Sequence, residues 1–178
     1  MAAQALISRE MRISEACRIA KDFTDRFYQC LNTERHRFFL WILCLQLLKN
    51  MYEESGKLIF NGHGYCGPDA IGKFYENLPK CSARLNDGGF DAHGIDDKYL
   101  NGTSAILISA AGSVVYGNHD NPSSHDGRSK SLKPLDFFET FVITAKSGTW
   151  KIQSDSFRHQ NCNTDSMLKT DAYISMQE

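Results

Sequence analysis

The stretch Gly56–Pro79, GKLIFNGHGYCGPDAIGKFYENLP, contains the densest local structural signals in the chain. Lys57–Asn61 is short and apolar at its centre, which is typical of a strand. Gly62, Gly64 and Gly67 follow, and glycine readily adopts the positive φ angles that tight turns require. The sequence therefore predicts a strand, a tight turn and a second, short strand.

A short helix is predicted directly after this turn. Pro68 suits the first turn of a helix, because the N–H that proline lacks would have no helical partner there. Apolar side chains then recur at helical spacing until Pro79 ends the run: Ile71, Phe74, Tyr75 and Leu78. The whole unit indicates an α+β domain.

The composition indicates a single domain without a strong charge. The chain has 178 residues, and 42% of them are hydrophobic, which suits one domain with one core. Its 20 basic and 21 acidic residues leave a formal charge of −1. Free-standing nucleic-acid binders are usually strongly basic, because neutralising phosphates supplies much of their affinity. We therefore expect any link to RNA to run through a partner.

The six cysteines and six histidines show no metal-binding pattern. Residues 17, 30, 44, 66, 81 and 162 form no CxxC pair or other zinc spacing, so we expect reduced thiols, no metal and no cofactor. The first 12 residues have no apolar core of signal-peptide length, which indicates an intracellular protein. In that setting the sequon Asn101-Gly102-Thr103 is expected to be only a turn.

An amphipathic helix is predicted at the start of the domain, which we place at residues 13–160. Residues 1–12 are expected to be a flexible N-terminus, and residues 161–178 a loose C-terminal tail. The helical stripe consists of Ile13, Cys17, Ala20, Thr24, Phe27 and Leu31.

A second helix, predicted over residues 34–51, is unusually apolar. Phe38–Leu45 reads FFLWILCL, and only Gln46 separates it from Leu47 and Leu48. The run is shorter than the roughly 20 residues that cross a bilayer. Three explanations remain open: an extended core helix whose extra face meets a partner, an insertion from an alternative transcript, or a segment lying on a membrane surface.

The rest of the chain is predicted to form strands joined by polar connections. Residues 117–134 are rich in Asn, Ser, His, Asp and Lys, and are expected to be a tolerated surface-loop insertion. The other assignments are a loop at 81–89, a strand at 90–95, a turn at 96–102, a long strand at 103–116 bent at Gly112, and a hairpin of strands 135–145 and 149–159.

Both faces of the predicted sheet carry apolar residues. Strict alternation places Phe137, Phe141 and Ile143 on one face and Phe138, Thr140 and Val142 on the other. It also places Ile106, Ile108 and Ala110 opposite Ala105, Leu107 and Ser109, and puts Trp150 and Ile152 on one face with Ser154, Ser156 and Arg158. Three helices can cover only one face, and no residues remain for another layer. The second face is therefore predicted to bind another protein.

Three stretches resemble the nuclear-transport-factor-2-like family, in the order in which that family has them. ACRIAKDFTDRFYQCLN (16–32) resembles its first helix, FNGHGYCG with DAIGKFYENLP its first hairpin and third helix, and WKIQSDSFRHQ (150–160) its last strand. The resemblance implies an α+β cone, in which three helices wrap a bent antiparallel sheet. Relative to the family, the second helix is several turns longer and the connection at 117–134 is extended.

Within this family the chain most resembles the small nuclear RNA export cofactors, which pair with an mRNA export receptor. The resemblance implies a non-catalytic adaptor that heterodimerises through its sheet face and meets nucleoporin phenylalanine-glycine repeats as part of the complex. It also implies shuttling between nucleus, pore and cytoplasm, with RNA bound only indirectly and no membrane contact. The implied partner-binding residues are Leu107, Ser109, Phe138, Thr140, Val142, Ser156 and Arg158.

Arg158 is the implied specificity residue. In the export cofactors the arginine of the matching SD-F-R motif pairs with an acidic residue of the receptor. A buried arginine without its partner is strongly destabilising, which favours a heterodimer over a homodimer. The alternative is a solvated charge at a strand end.

Two other functions of the same fold remain as alternatives. One is the homodimeric importer that carries GDP-bound Ran, which has a carboxylate where this chain has Asn61. The other is a small isomerase or dehydratase with acid–base groups inside the cone. Tyr65, Tyr75, Asp91, His93 and Asp155 could supply such groups, but their spacing fixes no common geometry, and we expect no enzyme activity.

Overall fold

The computed structural model describes residues 2–33, 38–95, 103–117, 133–146 and 148–160. Three helices and six strands form in these segments. They are α1 (Ala2–Leu31), α2 (Phe38–Asn50), β1 (Tyr52–Phe60), β2 (His63–Cys66), α3 (Gly67–Asn77), β3 (Cys81–Ile95), β4 (Ala105–Tyr116), β5 (Leu135–Lys146) and β6 (Thr149–His159). The predicted turn at 96–102, most of the polar loop at 117–134 and the tail at 161–178 lie outside the described residues.

The strands form one sheet in the order β2-β1-β6-β5-β4-β3. This confirms the predicted α+β cone, with one correction. Neighbouring strands are antiparallel except for β1 and β6, which are parallel. A parallel pair needs a long crossover rather than a tight turn, and most of the chain lies between these two strands. The sheet is therefore mixed rather than wholly antiparallel.

The turn between β1 and β2 is the tight hairpin that the sequence predicts. Phe60 pairs with His63, so Asn61 and Gly62 alone form the connection, with φ angles of 49° and 97°. Positive φ at both residues defines the type I′ turn, which matches the twist of the strands and favours Asn-Gly. Pro68 then stands in the first turn of α3, also as predicted.

The first helix begins earlier than predicted and packs on one face of the sheet. It starts at Ala2 instead of near residue 13, and Ile13 is 51% exposed although it was assigned to the buried stripe. Between Ala16 and Leu31 the buried residues follow one side of the helix. The ring of Phe27 lies 4.9 Å from that of Phe141 on β5, in an edge-to-face contact that anchors α1 in the core.

The second helix is only partly buried. Leu48 is fully buried, but Phe39, Leu43 and Leu47 are 83%, 61% and 54% exposed. The helix therefore leaves an apolar stripe on the surface. No helix in the described segments combines the length and hydropathy that a membrane span requires.

Two strands are longer than predicted because each contains a bulge. β1 starts at Tyr52, before the predicted start at Lys57, and its pairing with β6 shifts register between these two residues. β3 includes the segment 81–89 that was predicted to be a loop, and its pairing with β4 shifts between Leu85 and Phe90. The predicted bend near Gly112 thus corresponds to a bulge in the facing strand.

A further bulge corrects the face assigned to part of β6. Val142 pairs with Ser154 and Ile143 pairs with Ile152, so Gln153 is an extra residue on β6. One extra residue reverses the alternation, because side chains on a strand point to opposite faces with a period of two. Ile152 is consequently fully buried on the core side, and Trp150 also packs there. Neither shares a face with Ser154, Ser156 and Arg158.

Candidate partner interface

The seven predicted partner-binding residues lie together on the sheet face opposite the helices, here called the outer face. Thr140 pairs with both Ser109 and Ser156, and Val142 pairs with Leu107. Phe138 pairs with Arg158. The structure thus brings all seven onto adjacent strands β4, β5 and β6, although alternation along β6 is interrupted just before Ser154.

The outer face carries several apolar side chains that are at least partly exposed to solvent. Phe138 is 43% exposed, and Leu107 and Val142 are half-buried among polar neighbours. Ile59 on β1 is 42% exposed and pairs with Ser156, which extends the patch onto a fourth strand. Ile59 was not among the partner-binding residues predicted from the sequence. Alternation along β1 would have identified it, because its neighbours Leu58 and Phe60 are buried and Ile59 points to the opposite face.

Arg158 places a cation within this patch. Its side chain is exposed beside Phe138, and none of the ion pairs found in the described segments involves it. A partner covering this position would remove the guanidinium from water. It would therefore need an acidic or multiply accepting group to compensate for the lost hydration.

Asn61 supports the end of β6 next to Arg158. Its side-chain oxygen accepts a hydrogen bond from the His159 N–H at 2.9 Å, and its amide nitrogen lies 2.8 Å from Nδ1 of the same histidine. The other ring nitrogen, Nε2, lies 3.0 Å from the Tyr116 hydroxyl. An ionised aspartate at position 61 could accept the first bond but could not donate the second. Asn61 therefore has a structural role in this chain.

The core side of the sheet contains a buried acidic cluster. Glu139 and Asp155 are 2% and 0% exposed. The Tyr28 hydroxyl donates to Glu139 at 2.5 Å, and the Tyr52 hydroxyl donates to Asp155 at 2.5 Å. Tyr75 completes the cluster, with its hydroxyl 2.8 Å from that of Tyr52.

Burial favours the protonated form of both carboxyl groups in this cluster. Burial raises the pKa of Asp155 to about 7, and burial together with the Asp155 charge raises the pKa of Glu139 well above its usual value. Two ionised carboxylates in contact away from water would repel each other without a compensating cation. Protonation of one removes this repulsion, so the cluster favours the folded state at acidic and neutral pH.

The buried cluster does not assemble the enzyme site considered above. Tyr75 is linked to Asp155 through the Tyr52 hydroxyl. Asp91 and His93, however, pair with Ser109 and Leu107 and so lie on the outer face, across the sheet. Tyr65 packs against Phe74 at the hairpin. The adjoining cavity, lined by Glu139 and mostly apolar side chains, measures about 20 Å³, which is room for roughly one water.

Glu139→Gln is expected to stabilise the protein at alkaline pH. Because the folded-state pKa values are raised, the folded chain binds more protons than the unfolded chain above about pH 4, and stability falls as pH rises through the folded values. Glutamine keeps an acceptor for Tyr28 and supplies a permanent donor toward Asp155. Urea unfolding at pH 5 and pH 8 should show a smaller difference for this variant, with a gain of about 1–3 kcal/mol at pH 8.

The exposed Glu54 on β1 offers a matched control for this prediction. Glu54→Gln removes the same charge without touching the cluster, so its stability should follow the parent chain at both pH values. An unchanged pH dependence in Glu139→Gln would show that the buried pair does not share a proton.

Comparison with known proteins identifies the fold class first. No protein-family model matches the chain. Solved structures that superpose on it include yeast Bre5, at a TM-score of 0.58 and 18% identity over 84% of this chain and 98% of that one. Nuclear transport factor 2 from Cryptosporidium parvum superposes at a TM-score of 0.57 and 19% identity, over 82% and 95%. The chain therefore has the nuclear-transport-factor-2-like fold.

Sequence comparison then points to a particular group with this fold. The chain is 25% identical to NTF2-related export protein 1 from Bos taurus over 153 residues, covering 84% of this chain and 91% of that protein. It is also 25% identical to human NTF2-related export protein 2, covering 84% and 90%. The resemblance to the export cofactors that the sequence motifs indicate is confirmed.

One further structural neighbour contains two different proteins. The Candida albicans Mtr2–Mex67 M domain complex matches at a TM-score of 0.55 and 16% identity, over 84% of this chain and 97% of the matched one. At this identity the match supports the fold.

Proposed function

We propose that the chain is a non-catalytic nuclear export adaptor that heterodimerises through its outer face with the like-folded domain of an mRNA export receptor. The observation that carries the proposal is the apolar outer face. Leu107 on β4 lies beside Val142 on β5, and Phe138 on β5 lies beside Arg158 on β6. The similarity to export proteins supports the same function.

The proposed contact is between two sheets. A twisted sheet packs on another through interdigitating side chains, and the outer face offers apolar side chains at its centre with Ser109, Thr140 and Ser156 between them. These small hydroxyl residues allow close approach and can exchange hydrogen bonds with a partner strand. An acidic residue of the receptor would pair with Arg158 and fix the orientation.

In this account the adaptor acts by stabilising its receptor. Docking covers an apolar sheet face on each protein and holds the receptor domain in the form that engages phenylalanine-glycine repeats at the pore. RNA is bound through the receptor, which accords with the near-neutral charge of this chain. The complex would move between nucleus and cytoplasm, and no step requires contact with a membrane.

Calorimetric titration tests the choice of partner. We expect the chain to bind the receptor's like-folded domain with a dissociation constant in the micromolar range or tighter, and to give no heat with GDP-bound Ran. Binding to Ran with no response to the receptor domain would instead support the homodimeric importer.

A further inference from the structure

Strand β1 ends just before it would reach Arg158 on the neighbouring strand β6. Its last residue, Phe60, pairs with Phe157, and the chain then turns at Asn61 with a φ of 49°. If β1 continued as a regular strand, its next residue, Asn61, would lie beside Arg158. The support of Arg158 on its β1 side therefore depends on what the turn residue provides.

Asn61 provides both hydrogen bonds that a further residue of β1 would make. Its backbone N–H donates to the Phe157 carbonyl at 3.0 Å, and its side-chain oxygen accepts from the His159 N–H at 2.9 Å. In a regular parallel ladder the second bond would go to the backbone carbonyl of residue 61. Because the chain turns at Asn61, the side-chain oxygen takes the place of that carbonyl.

The two hydrogen bonds enclose Arg158. The Phe157 carbonyl directly precedes this residue and the His159 N–H directly follows it, so both bonds to Asn61 flank its backbone. Pairing with Phe138 holds the other side of Arg158 to β5. The exposed side chain of Arg158 thus extends toward the outer face from a backbone that is fixed on both sides. Without Asn61 this strand end would be held by β5 alone and would open more easily.

The His159 ring fixes the Asn61 side chain in the orientation that these bonds require. The amide oxygen is engaged with the His159 N–H, so the amide nitrogen faces Nδ1 of the ring at 2.8 Å and donates to it. In the neutral ring the proton then lies on Nε2, which is 3.0 Å from the Tyr116 hydroxyl. His159 is 5% exposed, and its ring contacts those of Phe60 and Phe157 edge-on. The amide is therefore held by a ring that is itself packed in place.

We propose that Asn61 is a positioning residue for Arg158, which holds the guanidinium where an acidic group of the partner can meet it. This role rests on the proposed heterodimer through the outer face. A long side chain on a loosely held backbone loses more freedom when it binds. Ordering one such side chain costs enough free energy to change an affinity by roughly three- to tenfold. The first hairpin thereby contributes to partner binding without being part of the contact surface.

Asn61→Gly tests the proposal, because glycine keeps the positive φ of the turn while both side-chain bonds are lost. Chemical-shift titration, which can follow weak binding, should show roughly three- to tenfold weaker affinity for the receptor's like-folded domain. In the Arg158→Gln background the same substitution should change the affinity by less than about twofold, because the guanidinium that Asn61 positions is absent. Equal losses in both backgrounds would overturn the proposal, since Asn61 would then act without Arg158.

Asn32→Gly is the matched control, because Asn32 makes a similar paired contact on the helical side of the sheet. Its amide donates to the Ala83 carbonyl at 2.8 Å, and its oxygen accepts from the Ala83 N–H at 2.7 Å. Both glycine variants should lower the melting temperature, but only Asn61→Gly should weaken binding.

Two other outcomes of these titrations would count against the role of Asn61. Parental affinity in Asn61→Gly, or an equal loss of affinity in Asn32→Gly, would overturn the positioning role and leave the heterodimer standing. If the parent chain itself does not bind the receptor domain, the proposed function fails, and the positioning role fails with it.

Discussion

Replacing Arg158 by glutamate is expected to abolish binding to the receptor domain while leaving the isolated fold intact. The side chain is exposed on β6 and forms no ion pair within the described segments, so the free chain loses no contact that stabilises it. In the complex the substitution would place two like charges together away from water. A buried charge without its partner costs about 3–5 kcal/mol, which corresponds to a loss of affinity of roughly 150- to 4,000-fold.

The control for this variant is the same substitution at Arg26. That residue is exposed on α1, on the opposite side of the sheet, and Arg26→Glu changes the net charge by the same amount. Calorimetry should give parental affinity for Arg26→Glu and no measurable heat for Arg158→Glu, with equal melting temperatures. Parental binding by Arg158→Glu would mean that Arg158 is a solvated charge at a strand end.

Val142→Asp is expected to have an effect of similar size at the centre of the outer face. Val142 is half-buried and lies between Leu107 and Ser154 on the neighbouring strands. An aspartate there can reach water in the free chain but would be buried without a cation in the complex. We expect affinity to fall on the order of 100-fold, with a small change in the stability of the free chain.

Val142→Thr tests whether shape or charge causes the loss. Threonine has nearly the shape of valine and carries a hydroxyl in place of one methyl group, so most of the affinity should remain in the same titration. If Val142→Asp bound the receptor domain as tightly as the parent chain, the interface would have to lie on another surface.

Local chemistry made several parts of the fold predictable from the sequence. Asn61-Gly62 determines the first hairpin, because both residues tolerate positive φ, and Pro68 determines the start of α3. Alternation along β4 and β5 placed five of the seven outer-face residues, Leu107, Ser109, Phe138, Thr140 and Val142, because both strands pair with each other in unbroken register.

The bulges could not be predicted, because they depend on pairing between distant strands. The extra residue Gln153 has no local signature, yet it moves Ile152 to the core side of β6. The start of β1 at Tyr52 was missed for the same reason, since its pairing with Ile152 skips the residues before Lys57.

The burial of polar residues through tertiary contacts could not be predicted from the sequence either. Glu139 occupies an inward position of β5 between Phe137 and Phe141, where alternation calls for an apolar side chain. The Tyr28 hydroxyl on α1 donates a hydrogen bond to it, and burial together with the Asp155 charge raises its pKa. Both residues are far from it in the sequence. Only the folded arrangement shows that the acid in the SD-F-R motif is part of this cluster.

The extended second helix exposes apolar side chains away from the proposed interface. Its exposed stripe of Phe39, Leu43 and Leu47 lies on the helical side of the molecule and is not part of the outer face. The proposed heterodimer therefore does not require this stripe, and binding through the outer face can be tested without altering it.

Light scattering on the chain, alone and mixed with the like-folded domain of the receptor, tests the central claim most directly. If the heterodimer forms as proposed, the mixture contains one species whose mass is the sum of 20.1 kDa for this chain and one receptor domain. A stable species of about twice 20.1 kDa that persists unchanged when the receptor domain is added would rule out the heterodimer.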